Sequence, residues 1–288
     1  MRIIFINFLI FIYISIIFGK TGSENHRIIT VGGSVTEIVY SLGLGNQVVA
    51  VDQSSTIPDA ISDLPQVGYI RHISAEGILS LMPSLILTTS DIGPDNAIKQ
   101  LKESGLKIKI FDSPKNYQDV IKLVTEIAKT LNVIDKAYEI TSTLRRDYDI
   151  IEKISLSLTL PPRIAFFMDA TNSGSFNTAG DNTRANYLIE LIGGENIYKH
   201  IFKRYNKISS ESILDGNPDV ILIACMYGNS LIENEIYNNA IYSSINAVKK
   251  KQVLTIDLGS HLTFGTNIAN AAKNLMNLID VIPYESDK

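Results

Sequence analysis

The sequence predicts an α/β protein of two Rossmann-like lobes, each with a central, mainly parallel sheet, joined by one long helix. Short apolar segments alternate with amphipathic helical segments in both halves, which is typical of parallel sheets covered on both faces. The pattern Ile-Ser-x-Glu-x-Ile-Leu, three spacers and Pro occurs at 73–83 and again at 208–218. One supersecondary unit is therefore present in each half of the chain.

In the first half, apolar and β-branched residues predict four strands. They are 27–31, 48–51, 85–89 and 107–111. Apolar residues at helical spacing predict four helices. They are 34–42, 74–81, 97–104 and 116–131. Ser34 and Glu37 match a capping box, so Glu37 is interpreted as a helix cap.

The segment 132–157 is predicted to be the connecting helix. Its central part, 135–154, contains no Gly or Pro, and a helix of that length would extend roughly 30 Å. Apolar residues recur there at helical intervals, namely Ala137, Ile140, Leu144, Tyr148 and Ile151. We therefore expect a rigid connector between an N-terminal lobe, 27–131, and a C-terminal lobe, 158–288.

The second half continues the alternation of strands and helices. Strands are predicted at 163–168, 220–224 and 253–257, and helices at 183–192, around Glu211 and at 267–278. A loop rich in Gly, Ser and Asn is predicted from Asp169 to Asp181. Open α/β sheets bind ligands beyond the carboxyl ends of their strands, so two such lobes facing each other predict a ligand cleft between them.

Charge and composition limit the classes of function. The formal net charge is −4 and no long basic run is present, so a nucleic acid partner is not expected. Arg2 and the apolar run 3–18 are typical of an export signal, and we predict a signal peptide at 1–22, with an uncleaved anchor as the alternative. The one cysteine, Cys225, predicts neither a disulfide nor a lipid attached at the leader. A periplasmic monomer is expected.

The segment Gly68-Tyr69-Ile70-Arg71 carries the sharpest chemical hypothesis. It is not repeated in the second half, which indicates a role with a ligand. A free phenol titrates near about 10, but a neighbouring guanidinium and a ferric ion both favour the phenolate. Tyrosinate is a known haem ligand, and an arginine could tune it by hydrogen bonding. Tyr69 is thus a candidate iron ligand, with packing as the alternative role.

The segments 31–43, 51–52 and 64–81 resemble the periplasmic haem-binding proteins of bacterial haem ABC importers, in the class III (cobalamin/siderophore-type) substrate-binding protein family. The second lobe is similar more loosely, through 179–180, 191–196 and the helix of Glu211. The resemblance implies two lobes with a long helical backbone and haem held in the cleft. It also implies Tyr69 as the axial ligand, with Arg71 bonded to it.

The resemblance has one departure and one further implication. Where the family usually has Gly-Pro-Arg near the last helix, this chain has Phe264-Gly265-Thr266-Asn267. Three residues expected at strand-end loops are therefore candidates for a second axial ligand or a propionate contact: His261, Tyr227 and Met226. Glu76 and Glu211 lie near the starts of helices, where carboxylates are favourable. The resemblance implies that they also dock on arginines of the membrane permease.

The predicted function is the exported haem-binding subunit of an ABC importer, which delivers haem to an inner-membrane permease and its ATPase. No catalytic constellation is found, so we do not expect an enzyme. Two alternatives are kept: a ferric-siderophore or cobalamin-binding protein of the same fold, and an enzyme that uses the cleft.

Overall fold

A computed structural model describes residues 26–168, 176–225 and 231–279. The N-terminal lobe is built on a four-stranded parallel sheet with a separate two-stranded hairpin. The strands are β1 (Ile28–Val31), β2 (Val48–Val51), β3 (Gly68–Tyr69), β4 (His72–Ile73), β5 (Leu85–Thr89) and β6 (Lys107–Phe111). The order across the sheet is β2-β1-β5-β6, and β3 pairs with β4.

Helices cover both faces of this sheet. They are α1 (Gly33–Ser41), α2 (Ala75–Ser80), α3 (Asp95–Glu103) and α4 (Tyr117–Thr130). Successive residues of β1 point to opposite faces, so Ile28 packs with α1 and α4 while Ile29 packs with α2 and α3. All residues of β1 and β5 are buried as a result, which explains why these strands consist of apolar residues and threonine and contain no charged residue.

The connector is helix α5 (Ile134–Ser157), which has 24 residues. Its buried positions, Ala137, Leu144 and Ile151, recur every seven residues along one face. That face packs against α4, whose Tyr117 hydroxyl donates a hydrogen bond to the Leu144 carbonyl oxygen. The helix lies within the predicted segment 132–157.

The C-terminal lobe contains a six-stranded mixed sheet. Its strands are β7 (Arg163–Met168), β8 (Phe176–Ala179), β9 (Glu195–Asn196), β10 (Tyr205–Ile208), β11 (Val220–Cys225) and β12 (Val253–Asp257). The order is β10-β8-β7-β11-β12, with β9 also paired to β7. Strands β7, β11 and β12 are parallel, as predicted, whereas β8 is antiparallel to both β7 and β10.

The helices of this lobe within the described residues are α6 (Arg184–Leu191), α7 (Ser210–Gly216), α8 (Leu231–Asn238), α9 (Asn246–Lys249), α10 (Leu258–Leu262) and α11 (Ile268–Leu278). Helix α11 packs against α5, and Lys273 of α11 forms an ion pair with Asp147 of α5 at 2.8 Å. The prediction of a two-lobed α/β protein with a long connecting helix is confirmed.

Strand β8 corrects part of the loop predicted from Asp169 to Asp181, whose residues 169–175 lie outside the described residues. Residues 176–179 form a strand whose Thr178 hydroxyl donates to the Phe166 carbonyl oxygen at 2.7 Å. The sequence Phe-Asn-Thr-Ala has weak strand propensity, so pairing with strands on both sides decides its conformation.

Glu37 is not a helix cap, so that prediction is wrong. Helix α1 begins at Gly33, so its N-cap residue is Gly32, with a φ of 107°. No side chain makes a capping hydrogen bond there. The third helical residue, which would carry the Glu of a capping box, is therefore Val35. Glu37 is buried and accepts hydrogen bonds from the Thr266 hydroxyl, at 2.8 Å, and from the Asn267 backbone amide. It thus joins the N-terminal lobe to the segment before α11.

Burial raises the pKa of Glu37 from 4.5 to about 7, although the hydrogen bonds from Thr266 and Asn267 oppose the shift. The native state therefore holds a proton that the unfolded chain releases. The resulting stabilisation is fully present below pH 4.5 and is lost as the pH rises through about 7. We expect Glu37→Gln to be more stable than the wild type above neutrality, by on the order of 3 kcal/mol at most, and not in mild acid.

Urea unfolding of both proteins at about pH 5 and about pH 9 measures this difference. Glu103→Gln, on an exposed surface of α3, is the matched control and should show no such pH dependence. A Glu37→Gln variant whose stability changes with pH in parallel with the wild type would contradict the assignment.

Candidate ligand-binding site

The hairpin of β3 and β4 is fixed at the carboxyl ends of β2 and β5. Gly68 has a φ of 99°, and a Cβ there would lie 2.7 Å from the His72 carbonyl oxygen, so the tight turn requires glycine. The Gly93 amide, in the loop after β5, donates to the Ile70 carbonyl oxygen at 2.9 Å. The Ile73 amide donates to the Gly93 carbonyl oxygen at 3.0 Å. The hairpin is thus held by backbone hydrogen bonds to the loop that follows β5.

Alternation along the hairpin exposes the residues predicted to meet a ligand. Ile70 is buried, with 7 % of its surface exposed, whereas the neighbouring Tyr69 is 44 % exposed. Arg71 and His72 are exposed as well. The phenol of Tyr69 is therefore available to a ligand and does not fill the core, which is the arrangement that the ligand hypothesis requires.

Arg184, in the first turn of α6, faces this hairpin from the second lobe. Its Nε donates to the Pro114 carbonyl oxygen at 3.3 Å, and its Nη1 donates to the Leu262 carbonyl oxygen at 3.2 Å. Its Nη2 lies 3.6 Å from a carboxylate oxygen of Asp91, in the loop after β5. Pro114 and Asp91 belong to the first lobe, so one guanidinium contacts both lobes.

The hairpin side chains influence the charge of this guanidinium. Burial lowers the pKa of Arg184, and the Asp91 carboxylate opposes that shift. Arg71 also lowers this pKa, while Tyr69 raises it, so both hairpin side chains lie within electrostatic range of Arg184. The structure therefore brings Tyr69, Arg71, Asp91 and Arg184 to one region between the lobes.

The sequence analysis missed Arg184, although a signal was present. Thr183 caps α6 by accepting a hydrogen bond from the Asn186 amide at 3.0 Å, which puts Arg184 in the first turn of the helix. A cation is unfavourable at the positive end of a helix dipole. An arginine at that position therefore needs another reason, which is its contact across the cleft.

Glu76 and Glu211 occupy equivalent places in the two lobes. Each lies in the first turn of a short helix, α2 or α7, and each is exposed. Ser74 caps α2 by accepting from the Gly77 amide at 3.0 Å. A hydrogen bond from Ser209 holds the pKa of Glu211 below its usual range. Both carboxylates are therefore presented at the surface as the predicted docking role requires.

The remaining predicted contacts are placed less favourably or lie outside the described residues. The sequence predicts a loop around His261, but the structure has helix α10 there. His261 is buried, with 7 % of the residue exposed. Its Nδ1 lies 2.9 Å from the Asp257 carbonyl oxygen, and its Nε2 has no hydrogen-bond partner. Met226 and Tyr227, which follow β11, fall outside the described residues.

Two further findings concern the described part of the chain as a whole. Within it, no group of three or more His, Cys, Asp or Glu side chains is arranged to hold a metal ion. None of the helices between residues 26 and 279 that the structure describes has the length and apolar character needed to span a bilayer.

Comparison with known families decides the class of protein. The family model described as periplasmic binding protein matches residues 28–258. This chain is a periplasmic binding protein. The family comprises substrate-binding transport proteins, so the expectation that the chain is not an enzyme is confirmed.

Solved relatives confirm the fold of this periplasmic binding protein and the resemblance seen in its sequence. The heme-binding protein BhuT, solved with two hemes, is 28 % identical, with a TM-score of 0.81, over 89 % of this chain and 98 % of that chain. The heme-binding protein HutB of Vibrio cholerae is 26 % identical, with a TM-score of 0.77, over 89 % of this chain and 99 % of that chain.

Other relatives of this periplasmic binding protein have a different ligand. The vitamin B12-binding protein of Photorhabdus laumondii is 27 % identical over 198 residues, which is 69 % of this chain and 70 % of that protein. Membership of the family therefore does not by itself identify the ligand, since relatives named for haem and for vitamin B12 both match this chain.

Proposed function

We propose that this periplasmic binding protein captures haem between its lobes, with Tyr69 as the axial ligand of the ferric iron. The observation that carries the proposal is the exposed phenol on a hairpin anchored at the carboxyl ends of β2 and β5. A phenolate is a hard oxygen donor suited to ferric iron, and Arg71, two residues away, is exposed on the same hairpin. Similarity to BhuT and HutB supports the same ligand.

The transport role follows from the family. The protein would carry haem as cargo and pass it to an ABC permease and its ATPase at the inner membrane, with Glu76 and Glu211 as the docking carboxylates. The apolar run at 3–18 supports export to the periplasm.

Titration with ferric haem, followed by the visible spectrum, tests the ligand assignment. We expect wild-type protein to give a high-spin ferric spectrum with a tyrosinate charge-transfer band. Tyr69→Phe should lose that band and at least about tenfold in affinity, since even an outer partner of a metal ligand is worth about that much. The same spectrum in Tyr69→Phe would reject Tyr69 as the ligand.

Tyr138→Phe is the matched control, because Tyr138 is 78 % exposed on α5 and belongs to no predicted site. It should bind haem as the wild type does. Cyanocobalamin is titrated in parallel, since cobalamin is the second candidate ligand on the basis of the relative from Photorhabdus laumondii. Saturable binding of cyanocobalamin without binding of haem would replace the haem proposal by the cobalamin one.

A further inference from the structure

One ion pair crosses between the lobes beside the candidate haem ligand. It joins the Nη2 of Arg184 in the second lobe to the carboxylate of Asp91 in the first, at 3.6 Å. Charge-assisted hydrogen bonds between such groups are usually about 2.7–2.9 Å long. The two side chains are thus paired by charge without a tight, directed hydrogen bond.

The other contacts of Arg184 fix its guanidinium in place. Nε and Nη1 donate to backbone carbonyl oxygens, from Pro114 on one side and from Leu262 and Thr263 on the other. The guanidinium carbon lies 5.6 Å from the ring centroid of Phe264, which covers one side of the group. The Nη2 edge is left for an anion, and the position of that edge does not depend on Asp91.

Asp91 is easier to displace than Arg184. It lies in the loop between β5 and α3, and its side chain is 37 % exposed, compared with 30 % for Arg184. Breaking the pair would return the Asp91 carboxylate to water at little cost. The guanidinium, in contrast, keeps its contacts with three backbone carbonyl oxygens and would present the vacated Nη2 edge to another anion.

We propose that Arg184 is the anion-binding residue of the second lobe, and that a carboxylate of the ligand replaces Asp91 at its Nη2 edge. The inference rests on the proposed function, in which haem supplies two propionate groups as the incoming carboxylates. Haem would then be held by an oxygen ligand from one lobe and a cation from the other. Asp91 acts as an internal competitor that keeps the guanidinium paired until the ligand arrives.

Comparison of ferric haem with its dimethyl ester tests this exchange, since the ester keeps the iron and the ring but has no carboxylate. We expect wild-type protein to bind haem about tenfold more tightly than the ester, as a hydrogen bond to a charged group provides. Arg184→Met should remove that preference by weakening haem alone. Asp91→Asn should increase the preference by removing the competitor.

Two control variants separate this role from general effects. Lys199→Met removes a cation of the same lobe from its ion pair with Glu190, where the Lys199 side chain is 37 % exposed and that of Glu190 39 % exposed. This variant should leave the preference for haem over its ester unchanged. Tyr69→Phe should weaken both ligands equally. Asp91→Asn also keeps the test independent of the folding of Arg184→Met, because it changes only a partly exposed loop residue.

The two possible failures are distinguishable. If wild-type protein binds neither haem nor its ester, the proposed function is wrong and the inference falls with it. If both ligands bind with the tyrosinate spectrum and the preference for haem is unchanged in Arg184→Met and Asp91→Asn, the haem function stands. In that case Arg184 does not bind the ligand, and the inference is overturned.

Discussion

Reversal of both proposed docking carboxylates, Glu76→Lys with Glu211→Lys, is expected to abolish haem-dependent transport while leaving the affinity for haem unchanged. Both side chains are exposed in the first turns of helices, and neither belongs to the group around Tyr69 and Arg184. Charges of this kind act on the encounter with a partner, and like charges placed opposite each other cost several kcal/mol. One change in each lobe should repel the permease at both contacts.

Transport is measured with the protein added to proteoliposomes that contain the permease and its ATPase, by haem-stimulated ATP hydrolysis. Glu103→Lys with Glu195→Lys is the matched control, since it reverses one exposed carboxylate in each lobe that is not part of a repeated helix. Equal loss of activity in the control pair would show a general charge effect. A weaker affinity for haem in the Glu76 and Glu211 variant would place these residues in the ligand site.

Tyr117→Ala is expected to destabilise the protein by about 3–5 kcal/mol, the usual cost of truncating a large buried aromatic residue. The Tyr117 ring is 1 % exposed and lies 4.7 Å from the ring of Tyr148 on the connector. Its hydroxyl donates to the Leu144 carbonyl oxygen, and its backbone amide donates to the Tyr187 hydroxyl of the second lobe at 3.0 Å. The residue thus contacts the connector and both lobes.

Urea unfolding gives the free energy for this comparison. Tyr117→Phe keeps the ring and should lose only about 1 kcal/mol, the net value of one hydrogen bond. Tyr138→Ala, at a side chain that is 78 % exposed on the same connector, should change stability by less than about 0.5 kcal/mol. A cost for Tyr117→Ala no larger than that of Tyr138→Ala would contradict the packing described here.

The parts of the fold that the sequence predicted are those with strong local patterns. Strand β11 is a continuous apolar run because both its faces are buried, and the connector has a repeat of seven residues on its buried face. Strand β8 could not be predicted in the same way. Its four residues become a strand through pairing with β7, which ends at Met168, and with β10, which begins at Tyr205, so no pattern within the four residues encodes the pairing.

The site shows the same division between local and distant signals. The exposure of Tyr69 follows from alternation with Ile70 in the hairpin, which is local. The contacts of Arg184 with Pro114 and Leu262 join residues about 70 to 78 positions apart, and no local pattern encodes them. Glu37 was misassigned for the same reason, because its partners lie more than 200 positions further along the chain.

The connector α5 also has a consequence for the energetics of delivery. A 24-residue helix that packs against α4 and α11 resists wide hinge motion, so we expect the width of the cleft to change little when cargo arrives. Little of the capture energy is then consumed by closure, and spontaneous opening does not hasten escape. We therefore expect unloading to be driven from outside, by work done on the lobes at the membrane during the nucleotide cycle of the ATPase.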